Sequence, residues 1–528
     1  MFFQKATPPV NKIGTVPAPI GGLNARDSLA NMPETDAVVL NNWWPQPYGC
    51  IVRKGYQKWA SGLPGAAHTL AAWAGTDGTE KLLAWSVGGF YDVSVQGPVG
   101  APLLTGLSNS YWPHVGYTNN AGSNLVAVNS VDDGILYNAT GVHRLISGDG
   151  IVDYTWKGLD PKKATTVASH NHRLWVTEKG TALGWYLPTD VLWGELKSFD
   201  FGPLLFKGGY LEFIATWTLD DGNGAEDHLV AVSNTGLACV YGGSDPEVET
   251  AWSLVGVYNI GAPVNGRRSF AKVGGDLFVL TQQGIVSMTN MLVSTKVKDK
   301  QQGFVSDKIQ FLISDYTTIW KDEVDWQLSY VPKINMLIVN VPKGPNVLNT
   351  QLVCNQITTS WASFENMDAA NWTAYNNQPY FGDYGGDIWV AWTGGMDQVA
   401  IDGTGGNSVN AQAQQAYSYL QHPGIQKQVS MFRPNFILAG HVNYNAAIEY
   451  DFKPTGVETP GGITGSPGAK WNSAVWGVDL WYGSGEGQRI WSQASGLGVA
   501  AAIAINLVAS DECLWVSTDY SFISGGLL

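Results

Sequence analysis

The stretch "LAAWAGTDGTEKLLAWSVGGFYDVS", Leu70–Ser94, decides the fold. Three apolar or aromatic runs alternate with turns rich in Gly, Asp and Thr, a pattern that indicates short strands joined by tight turns. A three-stranded meander of this kind cannot bury both of its faces alone. The stretch therefore predicts a small sheet that neighbouring copies of the same unit cover on both faces.

The same order of strands and turns returns along the chain. Six further copies follow: Val115–Thr140, Val167–Leu187, Phe213–Gly243, Phe270–Thr289, Trp326–Pro342 and Tyr380–Gly395. The central strands of the seven copies begin near Lys81, Asn124, Arg173, His228, Asp276, Met336 and Asp387. Their spacing runs from 43 residues (81 to 124) to 60 residues (276 to 336). Grouped strands at such periods are typical of β-propeller blades, whereas a sandwich has ungrouped strands about every 8 to 12 residues. We predict a propeller of six or seven blades over residues 60–404, whose first or last blade is completed by distant strands.

After residue 405 the grouping ends. Met431–Phe452 gives two strands with period-two alternation, and Trp471–Trp481 and Cys513–Ile523 are further strand candidates. The apolar run Gly496–Ala509 is too short to cross a bilayer and is interrupted by Asn506, so we interpret it as a pair of core strands. Residues 405–528 are therefore predicted to form a β-sandwich-like domain, and the whole chain to be all-β.

Composition narrows the function classes. Only 14% of the 528 residues are charged, against about 25% in a typical soluble domain, which leaves few residues for solvated helix faces. The net charge of −14 argues against the basic footprint of a protein that reads DNA grooves. The four cysteines lack C-x-x-C spacing, so we expect reduced thiols rather than a disulfide framework or a zinc site. The first residues lack a signal-peptide pattern, and we expect synthesis in the cytoplasm without stable membrane insertion.

The segment before the first copy, residues 1–59, has the character of an anchor. Within Ala18–Pro47, Gly21-Gly22 predicts a turn, and Pro33 predicts the start of a short helix that ends at Asn41-Asn42. Trp43-Trp44 precede a proline and are therefore predicted to be extended and to pack against something larger. None of these features requires a catalytic site.

Candidate catalytic and metal residues are few. His170 and His172 sit in a predicted hairpin turn without other ligands at metal-binding spacing. The acidic stretch Asp220–Asp227 offers oxygen ligands but misses the calcium-loop pattern. Gly382–Trp389 resembles a single imperfect Asp-box turn of sialidase propellers. No nucleophile elbow, phosphate loop or H-E-x-x-H helix is present in the sequence. We therefore predict a protein that is not an enzyme and has no catalytic residue, metal or cofactor.

Four segments together resemble one family, the tail nozzle or hub proteins of short-tailed bacteriophages (podoviruses), also called tail tubular or packaged-DNA stabilisation proteins. The first is "PAPIGGLNARDSLANMPETDAVVLNNWWPQPYGCIVRKGY", Pro17–Tyr56, with its Gly-Gly-Leu-Asn turn and Asn-Trp-Trp-Pro step. The others are Thr358–Trp389, "MFRPNF" at Met431–Phe436, and "DYSFISGGLL" at Asp519–Leu528. Between residues 95 and 330 the chain shows no motif of this family.

The resemblance implies a structural protein of the virion tail that is assembled in the host cytoplasm. It implies a homohexameric ring below the portal and the head-to-tail adaptor, in contact with a tail fibre or tailspike and a tail needle or plug. Double-stranded DNA would pass through without sequence-specific binding, and six copies would carry about −84 (6 × −14). The implied assembly and anchor residues are Gly21, Gly22, Asn24, Arg26, Asp27, Trp43, Trp44, Arg433 and Pro434.

Two other classes remain open. One is a propeller-based carbohydrate-binding or depolymerising tail protein, for which the many aromatic residues would supply a sugar platform. The other is a cellular repeat protein that serves as a binding scaffold. A trimer that cleaves polysaccharide would favour the first of these, and a hexameric ring would favour the nozzle.

Overall fold

The computed structural model describes residues 11–220, 225–294, 304–344, 347–440, 442–454, 456–460, 486–488 and 490–527. The chain divides into two compact units. The propeller unit comprises Lys58–Gln351 and Asn366–Val390, and the termini unit comprises Met1–Gln57, Leu352–Glu365 and Ala391–Leu528. The sequence predicts boundaries after residues 59 and 404, whereas the units are divided after Gln57 and Val390, and Leu352–Glu365 also belongs to the termini unit.

The described part of the propeller unit contains six small sheets and a group of three strands that belongs to a larger sheet, and each predicted copy falls in a different one of these seven. We call them blades 1 to 7. Their strands are Ala67–Ala74, Glu80–Ser86, Gly89–Asp92 and Leu104–Thr105 in blade 1; His114–Asn119, Gly122–Ala127, Gly134–Asn138, Gly141–Ser147, Thr155–Lys157 and Gly194–Glu195 in blade 2; Ala164–His170, Arg173–Glu178, Leu183–Tyr186 and Lys197–Asp200 in blade 3; Leu211–Asp220, Ala225–Ser233, Leu237–Gly243 and Trp252–Asn259 in blade 4; Phe270–Val273, Asp276–Thr281 and Gly284–Ser287 in blade 5; Gln327–Val331, Met336–Val341 and Thr350–Asn355 in blade 6; and Ala369–Tyr375, Gln378–Asp383, Ile388–Ala391, Tyr56–Ser61 and Gly97–Pro98 in blade 7.

The blades form a closed circle. The first strand of blade 1 neighbours blade 2 on one side and the first strand of blade 7 on the other, and each blade between them neighbours the next. Tyr56–Ser61, which precedes blade 1 in the sequence, lies beside Ile388–Ala391 in blade 7. The fold of this unit is therefore a seven-bladed propeller whose last blade is completed by a distant strand, in agreement with the predicted six or seven blades of which the first or last is completed in this way.

Apolar clusters lie between blades 7 and 1, 1 and 2, 2 and 3, 3 and 4, and 4 and 5, which explains why both faces of blades 1 to 4 are apolar. Between blades 3 and 4, for example, Trp175 stacks on Trp252 with ring centroids 5.9 Å apart. One residue from each predicted copy shows that the copies lie in separate sheets: Leu82, Val126, Trp175, Val230, Phe278, Ile338 and Trp389. In blade 7 the predicted central strand, near Asp387, is the third strand in sequence order, because this blade already begins at Ala369, before the predicted copy.

Helix is sparse among the described residues. Two α-helices, Met288–Ser294 and Gln310–Trp320, follow blade 5, and the second of them buries Ile313. Single 3₁₀ turns occur at Pro161–Lys163, Gly202–Leu204, Glu249–Ala251, Asp307–Ile309 and Pro332–Ile334.

The termini unit contains two sheets built from both ends of the chain. The first contains Lys12–Pro17, Trp43–Gln46, Gly49–Val52, Ile425–Leu438, Glu486–Gln488, Ser492–Gln493 and Cys513–Leu527. The second includes Gly22–Leu23, Asp36–Asn41, Ser360–Phe364, Met396–Asp397, Asn407–Gln415, Val442–Tyr450 and Ala501–Ala509. Phe436 of the first sheet and Tyr444 of the second lie with ring centroids 5.3 Å apart, so the two sheets are in contact at this point.

Two local predictions for this unit are wrong. Pro33 does not begin a helix: Asp36 N donates to Pro33 O at 2.9 Å in a turn, and the strand Asp36–Asn41 follows. This strand contains two valines, which favour extended structure, and it pairs with Asn407–Gln415, so tertiary pairing outweighs the helix-start signal. The run Gly496–Ala509 contains one fully buried strand, Ala501–Ala509, rather than a strand pair.

Candidate functional site

The glycine turn near the N-terminus packs closely against the segment Ser360–Phe364. Gly21 N donates to Thr35 O at 2.8 Å, and Gly22 adopts a φ of +82°. A Cβ atom at Gly22 would lie 2.6 Å from both the N and O atoms of Trp361. Both the backbone conformation and the close approach therefore require glycine at position 22.

Asn24 organises the residues after this turn. It is buried, its Oδ1 accepts from the backbone N atoms of Arg26 and Asp27, both at 3.0 Å, and its Nδ2 donates to Asp27 and Asp36. Arg26 pairs with Asp27 at 2.8 Å, but the arginine side chain is 37% exposed. Such an exposed pair contributes about 0–1 kcal/mol, so Asn24 fixes the loop and Arg26 presents a guanidinium at the surface.

The predicted tryptophan anchor is extended and buried. Trp43 and Trp44 begin the strand Trp43–Gln46, and both are at most 1% exposed. Trp43 lies with its ring centroid 5.7 Å from that of Trp515, and Trp44 lies 5.5 Å from Trp392. The two rings therefore join the early strand to two segments more than 300 residues later in the chain.

Arg433 and Pro434 lie in the middle of the long strand Ile425–Leu438. Arg433 Nε and Nη2 donate to Asp519 Oδ2 at 3.0 and 2.6 Å, and Thr15 Oγ1 donates to Oδ1 of the same carboxylate at 2.7 Å. Burial opposes ionisation of Asp519, but these hydrogen bonds and one from Asn435 outweigh it and hold its pKa below the ordinary value. Three distant segments thus share one carboxylate.

One fully hydrogen-bonded ion pair among the described residues of this unit was not predicted from the sequence. Arg53 Nη1 and Nη2 donate to the two oxygens of Asp397 at 2.7 and 2.6 Å, and the arginine side chain is fully buried. The remaining N–H groups donate to Asn42 Oδ1, Lys54 O and Glu365 O. All five guanidinium donors are therefore used. The signal in the sequence was an arginine directly after the apolar strand Gly49–Val52.

The propeller unit holds a second polar cluster that the sequence did not reveal. Asp325, next to blade 6, accepts from His68 Nδ1 at 3.1 Å, Arg268 Nη2 at 3.3 Å and Tyr384 OH at 2.7 Å. These partners belong to blades 1, 5 and 7. Burial opposes ionisation of Asp325, but the hydrogen bond from His68 and the Arg268 charge keep its pKa below the ordinary value. The carboxylate joins blades on both sides of the point where the circle closes.

The candidate metal residues occupy separate environments. His170 is buried at the end of its strand, and burial lowers its pKa to about 4, whereas His172 is exposed. The expectation that both lie in a solvated turn is therefore wrong for His170. In the part of the chain that the structure describes, no group of three His, Cys, Asp or Glu side chains is arranged to hold a metal ion. The four cysteines are free and buried, and burial raises the pKa of Cys239 to about 11.

Two predicted features lie wholly or partly outside the described residues. These are Trp471–Trp481 and residues 221–224 of the acidic stretch.

The Asp-box-like turn is stabilised by its own carboxylate. Asp383 accepts from Asp387 N and from Trp389 Nε1, both at 2.8 Å. Within the described segments, no helix has the length and apolar character needed to cross a bilayer.

Comparison with known proteins gave structural matches alone. No protein-family model and no curated protein matches the chain. Similar solved structures include BBS1N in complex with ARL6DN, which is 11% identical with a TM-score of 0.38 and covers 64% of this chain and 98% of that chain. They also include the Cps50 (Swd1) β-propeller domain of Myceliophteria thermophila, which is 12% identical with a TM-score of 0.37 and covers 63% and 99%. The propeller assignment follows from the closed order of blades described above.

Proposed function

We propose that this chain is a structural protein of the virion tail of a short-tailed bacteriophage. Six copies would form a nozzle, or hub, ring below the portal and the head-to-tail adaptor. The ring would conduct and seal genomic DNA and would contact a tail fibre or tailspike and a tail needle or plug. The protein would perform no catalysis and need no cofactor.

The observation that carries this proposal is where the resembling segments lie. Pro17–Tyr56, the first part of Thr358–Trp389, Met431–Phe436 and Asp519–Leu528 are far apart in the sequence, yet they belong largely to the termini unit. Lys12–Pro17 pairs with Cys513–Leu527, which pairs with Ile425–Leu438. Motifs that build one compact unit support a shared structural role better than scattered similarities would.

Buried contacts between distant segments also support a structural role under mechanical stress. Arg53 and Asp397, Trp43 and Trp515, and the Arg433 network each hold together segments separated by more than 80 residues. A conduit that resists the pressure of packaged DNA needs such cross-connections, because local unfolding starts where few buried contacts hold a segment.

The oligomeric state tests the proposal. We expect the purified full-length chain, or the particle that contains it, to show a sixfold ring in negative-stain images. Mass photometry should give six times the 56.9 kDa mass of one chain. A trimer that depolymerises capsular polysaccharide would instead establish the alternative, a carbohydrate-binding or depolymerising tail protein. A stable monomer under assembly conditions would contradict both.

Affinity for DNA gives a second prediction. Lys and Arg number 30 against 44 acids, and adjacent basic pairs are confined to Arg53-Lys54, Lys162-Lys163 and Arg267-Arg268. In the first pair the arginine is buried against Asp397. Non-specific binding requires cations that neutralise phosphates, so we expect weak binding of duplex DNA even at low salt. Tight binding that falls steeply with salt in a fluorescence-anisotropy titration would rule out a passive conduit.

A further inference from the structure

A cavity of about 550 Å³ lies within the propeller unit. Its walls are the first strands of blades 2 to 5, with residues that include Val115, Thr118, Thr216, Phe270 and Lys272. The volume falls within the range of about 300–1,000 Å³ that is usual for pockets that bind small ligands. Both apolar and polar groups line the cavity. The polar groups that have no partner within the protein therefore determine which kind of ligand it can bind.

One side of the wall is rigid and uncharged. His170, behind the wall, lies with Nδ1 3.2 Å from Thr216 Oγ1, and this hydroxyl donates to Ser169 O at 2.7 Å. The hydroxyl proton is thereby used, so His170 Nδ1–H donates to it and Nε2 accepts from Asn171 Nδ2 at 3.1 Å. Burial keeps this imidazole neutral by lowering its pKa to about 4. The network fixes Thr216 and Asn171 in the wall.

His114 is among the residues that line the cavity, and its ring stacks on Trp85 of blade 1 with centroids 6.0 Å apart. Its Nδ1 lies 3.0 Å from Trp112 O, which only an N–H can satisfy, so Nε2 carries the lone pair in the neutral ring. Burial is the main cause that lowers the pKa of His114, so the ring stays neutral. Thr118, on the same strand, is exposed to the cavity, and its hydroxyl bonds to no described residue.

Two opposite charges complete the lining. The Lys272 ammonium is exposed and forms no hydrogen bond or ion pair with any residue that the structure describes. Asp227, the other charged residue of the lining, accepts from Thr218 Oγ1 at 2.6 Å. A single free ammonium selects one carboxylate, while the nearby Asp227 carboxylate disfavours dianions such as phosphate monoesters.

We propose that this cavity binds a hexuronic acid, that is, a monosaccharide with one carboxylate. Lys272 binds the carboxylate, Thr118 and His114 Nε2 bind hydroxyl groups, and Asp227 accepts from a further hydroxyl. The apolar face of the pyranose packs on Phe270, whose ring is held by stacking on Phe213 with centroids 4.5 Å apart. The site lies entirely in the propeller unit, and it goes beyond the proposed function without depending on it.

The test is a calorimetric titration of the full-length protein with D-glucuronate at low salt, with D-glucose and acetate as comparison ligands. We expect glucuronate to bind saturably with a millimolar dissociation constant. Glucose should bind much more weakly because it lacks the carboxylate, and acetate should bind much more weakly because it lacks the hydroxyl groups. Lys272→Met should weaken glucuronate binding about tenfold, the equivalent of about 1.4 kcal/mol. Thr118→Val should also weaken it.

The matched control is Lys179→Met, since Lys179 is exposed on a blade 3 hairpin and does not line the cavity. This variant should bind glucuronate like the parent. The proposal is overturned if glucuronate does not bind, if acetate binds equally well, or if Lys272→Met binds like Lys179→Met. If Lys272→Met also shows an altered near-ultraviolet circular dichroism spectrum, its loss of binding is due to misfolding. The Thr118→Val variant is then the test, and the proposal is overturned if it binds glucuronate like the parent. The nozzle proposal is tested by the oligomeric state and the cavity proposal by glucuronate binding, so either can fail without the other.

Discussion

Arg53→Met is expected to lower the free energy of unfolding of the termini unit by about 3–5 kcal/mol, the usual cost of breaking a buried ion pair by removing one partner. The substitution leaves the Asp397 carboxylate, which is 6% exposed, without its bidentate donor. It also removes the donors to Asn42 Oδ1 and Glu365 O. The measurement is the shift of the unfolding transition in scanning calorimetry and in urea.

The control for this prediction is Lys54→Met, because Lys54 is adjacent, carries the same charge and is exposed. It should unfold like the parent. Arg53→Met/Asp397→Leu should be more stable than Arg53→Met alone, since replacing both partners by apolar groups removes the unpaired charge. Equal unfolding midpoints for Arg53→Met and Lys54→Met would show that the pair contributes nothing.

The propeller could be predicted from the sequence because its cause is periodic. Each blade needs apolar residues on both faces, and seven such meanders leave a repeated pattern of strands and glycine-rich turns. The stretch Leu70–Ser94 shows that pattern directly, and it forms three strands of blade 1. The sequence does not decide between six and seven blades, because Tyr56–Ser61, which completes blade 7, precedes the repeats.

Features that depend on residues far apart in the sequence could not be predicted in the same way. The strand Asp36–Asn41 looked like a helix because Pro33 is a local signal, whereas its pairing with Asn407–Gln415 is not. Arg53 is an ordinary basic residue in the sequence, and only the fold brings Asp397 to it. The cavity depends on Thr118 and Lys272, which are more than 150 residues apart. Anchors with large aromatic rings were easier to predict, because burial is the usual outcome for tryptophan.

Trp43→Ala and Trp44→Ala should each lower the free energy of unfolding by about 3–5 kcal/mol, the range for truncating a large aromatic side chain in a core. Trp43 is 0% and Trp44 1% exposed, so each substitution removes a whole indole from tight packing. Tyr48→Ala is the matched control, because Tyr48 lies in the same hairpin but is 62% exposed, and it should change stability little.

Trp43→Phe separates the contribution of packing from that of the indole N–H. The Trp43 Nε1 atom is buried and has no hydrogen-bond partner, so the wild-type protein already bears the cost of an unsatisfied donor. Phenylalanine keeps an aromatic ring against Trp515 and removes that donor, which offsets part of the lost volume. We therefore expect Trp43→Phe to lie much closer to the parent than Trp43→Ala in urea denaturation, and to retain assembly. If Trp43→Ala and Tyr48→Ala both unfold and assemble like the parent, the tryptophan is not an anchor. If Trp43→Phe is as destabilised as Trp43→Ala, the phenyl ring does not replace the indole in this packing, and the expected gain from removing the unsatisfied N–H is absent.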